Sequence, residues 1–393
     1  MTYLELTLNK FNGSLPPDMG VTLPNLRGFY GGGNKFSGPF PTSLANASKL
    51  VDFDIPQNSL TGTLPTNLGS LQHLQLFQVS ANHFGSNDLS FLNSLSNCTS
   101  LQILGFSRNA FGGRLPSSIA NFSTKLIWLT LNKNYISGNI PKEIGNLYNL
   151  QALYLSQNML EGSIPESIGK LLNLQGLLIY NCSISGEVPL SISNLTRLSV
   201  LDLGGNMLHG RIPLTLSNIS SLQMLNLGDN LLSGTIPQQI FGLSSLHILY
   251  LHQNHLTGQL PYQVGSLKNI GQLTIYENKL TGEIPKSLGD CVVLELLYMQ
   301  DNLFEGNIPS SFKQLKVLDV QLLARIAKDV SRFKKLRQLT KPKQLVGMAT
   351  PVMNIMVVEQ SRKLCEGANR PEAGILKPSH GFLWRNRSKR HNT

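Results

Sequence analysis

Side chains able to do chemistry are present in this chain, but not at the spacings that catalysis needs. His252 and His255 stand three apart, and the turn at Asn254 between them sends them in different directions, with no carboxylate or thiol spaced to complete a metal site. The run Gly31-Gly32-Gly33 has the composition of a phosphate-cradling loop, yet it leads straight into Asn34, one member of a recurring turn. No Gly-rich phosphate loop follows a strand, and neither His-Arg-Asp nor Asp-Phe-Gly occurs. The residues imply no enzyme, no cofactor and no metal. What they offer is recognition. Tyr154 and Tyr180 occupy neighbouring repeat units, and Tyr250, His252, Tyr276 and Tyr298 occupy three successive ones, with Asp202, Asp229, Glu277 and Asp301 alongside. Tyr brings a large contact area at low entropic cost and a hydroxyl to bond with, so such a row predicts a peptide-binding strip, with the acids favouring a basic or polar peptide. Tyr is also simply a good strand residue. A nucleic-acid stripe would need outward Arg and Lys, and Arg108 and Lys133 are the two at comparable positions.

These residues must be held by a repeat, whose clearest copy runs LYLSQNMLEGSIP from Leu153 to Pro165. Its Asn158 recurs as Asn9, Asn34, Asn58, Asn82, Asn109, Asn134, Asn206, Asn230, Asn254, Asn278 and Asn302, with Cys182 standing in once, which makes thirteen copies. From Asn134 onward the step is 24 residues. Four residues after each of these rungs comes Gly and seven after comes Pro, except in the copy at Asn82. The spacing LxxLxLxxNxLxGxIP has a strand-like alternation that turns Leu153 and Leu155 inward and Tyr154 outward, one short parallel strand per copy. Positions four, two and one before a rung then face outward on the concave sheet. The inward Asn can satisfy turn amides and carbonyls, which builds a ladder through Asn134, Asn158, Asn206, Asn230, Asn254, Asn278 and Asn302, with Cys182 a poorer rung. Gly permits a tight turn, Pro fixes an extended bend along the convex side, and Leu171 and Leu174 close the wedge. One copy cannot bury its apolar face alone, so the copies must stack into a solenoid.

The pattern resembles the plant-specific type of leucine-rich repeat, marked by the LxGxIP half of each copy, over roughly residues 1–312. The resemblance implies an α/β repeat fold: a curved superhelix with a parallel concave sheet. The longer interval between Asn82 and Asn109, reading FGSNDLSFLNSLSNCTSLQIL, is similar to the helical insertion in ectodomains of plant leucine-rich-repeat receptor-like kinases that include microbial-pattern receptors. That resemblance implies a non-catalytic module binding a peptide or protein ligand, a co-receptor kinase as a further partner, and a place at the plasma membrane or outside the cell. Two alternatives stand beside it: a secreted inhibitor of a cell-wall-degrading enzyme, and a fragment of a complete Ser/Thr receptor kinase.

Other features test the resemblance. The family's cysteine-paired cap is not found ahead of Asn9, and no signal peptide or transmembrane helix is legible, so membrane attachment would come only through a span missing from this chain. The frame fails at Ile326, where a rung is due. The formal charge of +11 splits into 15 Lys+Arg and 17 Asp+Glu up to Phe312, and 18 against 5 after it, so the repeat body is nearly neutral. Residues 313–345 read as a basic amphipathic helix through Leu322, Ile326, Val330, Phe333, Leu336 and Leu339, or as unselected sequence of a truncated reading frame. Residues 346–393 read as an unassigned, disordered basic tail. Cys98, Cys182 and Cys291 lie three or more copies apart, beyond disulfide reach, and should be free thiols. Of eight Asn-x-Ser/Thr sequons, Asn46, Asn97, Asn121, Asn194 and Asn218 share one convex stretch and are the glycosylation candidates, whereas Asn181 borders the concave strand.

Overall fold

The alternation of Leu with polar residues becomes the inner wall of the solenoid. In the computed structural model, which describes residues 1–315, each copy lays down a three-residue strand such as Ala152–Tyr154, and thirteen of them pair in parallel in sequence order. Register is invariant: Ala152, Leu153 and Tyr154 face Gly176, Leu177 and Leu178, which face Val200, Leu201 and Asp202. The middle residue of each triplet points into the wedge, and Leu153, Leu177, Leu201, Leu225, Leu249, Leu273 and Leu297 are all fully buried. Each such burial contributes about 2 kcal/mol relative to exposure. Earlier copies carry Phe in that column, where Phe29, Phe53 and Phe77 stack with ring centroids 5.4 and 5.8 Å apart.

The expectation of one strand per copy is corrected by the structure, which contains two. The LxGxIP segment forms a second thirteen-stranded parallel sheet. Its strand Met159–Ser163 pairs with Ser183–Glu187 through Gly162 opposite Ile184. An extended segment on the flank of a stack meets its own equivalent one copy on, so its amides and carbonyls find partners. Gly162 adopts φ 72°, and a Cβ there would lie 2.9 Å from the Asn139 side chain, so this position requires glycine. The following Pro165, at φ −70° and ψ 141°, ends the strand and caps the 3-10 turn Glu166–Lys170, its carbonyl accepting from Ile168 N–H at 2.9 Å. Ile168, Leu171 and Leu174 close the wedge, all fully buried. In the irregular copy a helix does form, Phe91–Leu95, with Phe91 packed 5.2 Å from Phe106 and 5.3 Å from Phe111. The outer strand His83–Ser86 persists there without its Gly and Pro, pairing with Ala110 and Phe111.

The rung Asn bonds in three directions. Asn158 Nδ2 donates to the carbonyls of Leu155 (2.8 Å) and Ser156 (3.3 Å) in its own copy and of Leu131 (3.0 Å) in the copy before, while Oδ1 accepts from Ile136 N–H at 3.0 Å. The same set recurs at Asn230, Asn254 and Asn278. Directly before the rung the chain turns through the left-handed region, a feature the sequence analysis did not anticipate. Leu8, Gln57, Ala81, Arg108, Lys133, Gln157, Asn181, Asp229, Gln253, Glu277 and Asp301 all have φ between 50° and 61°, and glycines fill the two remaining positions. Such a conformation costs a non-Gly residue roughly 1–2 kcal/mol, and the Asn bonds hold it in place. At Cys182 they are weaker, Sγ lying 3.7 Å from the carbonyls of Leu155 and Tyr180. Cys98, Cys182 and Cys291 are free thiols, and burial pushes the thiols of Cys98 and Cys291 up to about 11. The expectations placed on residues 313–345 and 346–393 lie, beyond residue 315, outside the described residues.

The rungs are therefore testable one at a time. Asn158→Ala should lower stability by roughly 3 kcal/mol, because it strands buried carbonyls and one amide, whereas Cys182→Asn should raise it by about 1 kcal/mol. Urea unfolding midpoints measure both; an unmoved midpoint for Asn158→Ala would show that the rung bonds contribute nothing net.

Candidate ligand-binding surface

Four columns of side chains face the concave side and its edge: those six, four, two and one residues before each rung. The later cluster is continuous. Tyr250 meets His252 edge-on at 5.8 Å, His252 stacks on Tyr276 at 4.7 Å and 13°, and Tyr276 meets Tyr298 edge-on at 6.2 Å. These geometries are the favoured ones for ring pairs. Two of the rings are anchored by the copy that follows: Tyr250 Oη donates to Gln272 Oε1, and His252 Nδ1 bonds Thr274 Oγ1 at 2.8 Å. All four remain half-buried, so each keeps a free edge. Burial raises the phenols of Tyr250 and Tyr276 and lowers the His252 imidazole, which Asp229 and Glu277 partly offset. His252 is therefore held mainly neutral near pH 7. Glu277 and Asp301 are exposed on left-handed turns at the edge of the face. His255 opens the outer strand His255–Gln259 on the far side of Asn254, and no group of three or more metal-ligating side chains occurs among the described residues.

The earlier tyrosines differ. Tyr154 was expected to face outward freely, but it is only 8% exposed. It covers Gly176, where a Cβ would lie 3.1 Å from its ring and hydroxyl, and burial pushes its phenol up to about 12. The missing side chain opposite draws the ring down onto the sheet. Tyr180 stays half-buried, and neither tyrosine makes a ring contact among the described residues. Asp202, expected as an outward acid, is 1% exposed. Its Oδ1 accepts from Gly204 N–H at 3.1 Å and Asn226 Nδ2 at 2.8 Å, and burial lifts its carboxyl to about 7. A related acid site lies at the other end, where Tyr30 Oη donates to Asp52 Oδ2 at 2.6 Å and burial, with Glu5 and Asp52 nearby, lifts Asp54 to about 7.

Sequence reasoning missed the column six before the rung. Ile103, Trp128, Ala152, Val200, Met224 and Ile248 form an apolar strip along the middle of the face, each below 9% exposed. The signal was available, because strand alternation puts this column on the same face as the one four before the rung. Trp128 Nε1 is buried there without a hydrogen-bond partner. The five candidate sequon residues Asn46, Asn97, Asn121, Asn194 and Asn218 are all exposed, four of them as the last residue of a convex 3-10 turn. Asn181 is exposed on a left-handed turn beside the concave strand.

A stack of repeated turns, a laddered Asn and two parallel sheets of thirteen strands define a leucine-rich-repeat solenoid. Models of the leucine-rich repeat match residues 125–147, 149–171, 173–195, 196–256 and 293–315. Over 144 residues, 36% of this chain and 14% of the relative, the sequence is 44% identical to a probable LRR receptor-like serine/threonine-protein kinase of Arabidopsis thaliana. It is 43% identical over 95 residues, 23% of this chain and 9% of the relative, to the receptor kinase-like protein Xa21 of Oryza sativa subsp. japonica. The solved plant peptide hormone receptor RGFR1, in complex with RGF2, superposes with a TM-score of 0.77 at 32% identity, over 81% of this chain and 50% of that one. The matched segment is thus a small part of these curated relatives and half of the receptor structure. Among the described residues no helix is long and apolar enough to cross a membrane.

The lifted carboxyls set the sign of a pH effect. A carboxyl near 7 in the folded chain and about 4 in the unfolded one contributes stability that is complete below about pH 4 and is lost as pH rises through 7. Melting temperature should therefore fall from pH 5 to pH 8. Asp202→Asn, which keeps an acceptor for Gly204 and Asn226, should flatten that fall and leave the residual slope from Asp54; an unchanged slope would contradict the assignment.

Proposed function

We propose that this chain is a non-catalytic recognition module, the ligand-sensing leucine-rich-repeat part of a plant receptor-like kinase, and that it binds a peptide or protein on its concave face. The module extends over residues 1–312, with 313–345 and 346–393 as appended segments. The observation that carries the reading is the continuous row Tyr250, His252, Tyr276 and Tyr298, joined ring to ring, with Tyr250 and His252 pinned by hydrogen bonds and each ring half-exposed. Rigid aromatic side chains lose little entropy on binding, and the rotamers of Tyr250 and His252 are held by their hydrogen bonds before any ligand arrives. Tyr154 and Tyr180 extend the surface toward the apolar strip, and Glu277 and Asp301 flank it. The peptide hormone held by RGFR1, a receptor of the same fold, supports the same use of this one. Location at the plasma membrane or outside the cell, and a co-receptor kinase as second partner, belong to the same proposal, as do glycans at Asn46, Asn97, Asn121, Asn194 and Asn218.

Two measurements test it. For a ligand selected from a displayed peptide library, changing Tyr250, Tyr276 and Tyr298 together to Ala should weaken binding by more than about tenfold, and a loss below about twofold would remove the aromatic row from the site. Expression through a eukaryotic secretory pathway should place glycans on the five convex asparagines, read by peptide mass; unmodified asparagines in a secreted product would end the glycoprotein assignment.

A further inference from the structure

The residue immediately before each rung is locked in the left-handed region and stands at the edge of the concave face, whatever its identity. Numbering the copies by their rungs, this column carries Arg108 and Lys133 in copies five and six and Asp229, Glu277 and Asp301 in copies ten, twelve and thirteen. Gln157, Asn181 and Gly205 leave the three copies between them uncharged. All five charged residues are exposed. None is spent on an ion pair, since the salt bridge among the described residues joins Lys268 to Asp290. The basic pair also lines a shallow groove with His83, Tyr135 and Gln157. At the acidic end, Glu277 directly follows Tyr276 in sequence, and the charges of Asp229 and Glu277 are felt at His252 and Tyr276, so that edge adjoins the aromatic row. Lys279 interrupts the acidic run from the outer side, opening the strand Lys279–Glu283 beyond the buried Asn278.

We infer that this edge is an electrically polarised rail that fixes the direction of an extended peptide: the peptide's acidic part lies over copies five and six, and its basic part over copies ten to thirteen. The inference rests on the peptide-binding reading above and adds the ligand's charge order and length to it. Strands stack at about 4.8 Å, so the gap from Lys133 to Asp229 is about 19 Å and that from Arg108 to Asp301 about 38 Å. An extended chain advances about 3.3 Å per residue, which calls for opposite charges separated by roughly six to twelve residues. A ligand of one sign would be repelled at one end, and like-charge juxtaposition is a strong source of discrimination.

The probes are synthetic peptides of about twelve residues with one composition: one with Glu at one end and Lys at the other, and one with the same charges intermixed, alongside all-Glu and all-Lys controls. The end-separated peptide should bind the full chain about tenfold tighter than the other three, and the advantage should shrink with added salt. Arg108→Glu with Lys133→Glu, or Asp229→Lys with Glu277→Lys and Asp301→Lys, should each abolish that advantage. Combining both sets should move a photo-crosslinker on the peptide's acidic end from copies five and six to copies ten to thirteen. Equal binding of the separated and intermixed peptides, no binding of the separated one at millimolar concentration, or an unmoved crosslink would overturn the inference. So would a salt-sensitive dimer of the chain that the same variants dissolve, since that assigns the rail to a second copy. If binding falls with the tyrosine variants and ignores the rail variants, the rail fails and peptide binding stands; if it ignores both, both fail.

Discussion

A side-chain amide that belongs to two copies at once is the constraint on which this solenoid depends. Asn158 closes the turn of its own copy through Leu155 and Ser156 and reaches into the previous copy at Leu131 and Ile136. Neither half of that arrangement is separable from the other. The turn places the amide, and the amide holds the left-handed residue that makes the turn. Apolar burial provides most of the energy of stacking, but it is non-directional and would tolerate sliding or rotation of one layer on the next. The Asn bonds have direction, and they give every inner strand the same alignment with its neighbours.

Much of this was legible in the amino-acid order, for reasons that can be named. Leu153 and Leu155 flanking Tyr154 gave the inner strand, Asn158 the rung, Gly162 and Pro165 the turn onto the convex side. Those residues act through their own backbone preferences and short-range bonds, so the local pattern suffices. The second sheet was not legible, because its strands exist only through pairing with the next copy, and an isolated MLEGS segment has no pattern of its own. The left-handed turns escaped for a different reason. Eleven residues of eight types, from Leu8 to Asp301, adopt them, so the conformation is imposed by the rung and leaves no trace in the residue that bears it.

The candidate surface shows the same division. Tyr250, His252, Tyr276 and Tyr298 could be placed on one face by counting, and their contacts follow from invariant register. The fates of Tyr154 and Asp202 could not be counted, because each depends on what stands in the adjacent copy: Gly176 leaves room for a ring to lie flat, and Asn226 supplies a donor that holds a carboxyl down. Burial on a concave sheet is a property of neighbouring columns. The middle of the face is accordingly apolar and closed, while the later copies present rings with open edges and the rim carries the charge.

Invariant register has one further consequence. Because each layer meets the next in the same way, a whole 24-residue copy can be gained or lost by unequal recombination without disturbing the bonds of the layers on either side. Such an event leaves every side chain in its column and changes only how far apart two clusters lie, by about 4.8 Å for each copy. Chemistry and distance are thus inherited separately in this architecture: point substitution edits what a position offers, and copy number edits the length of what can be measured against it.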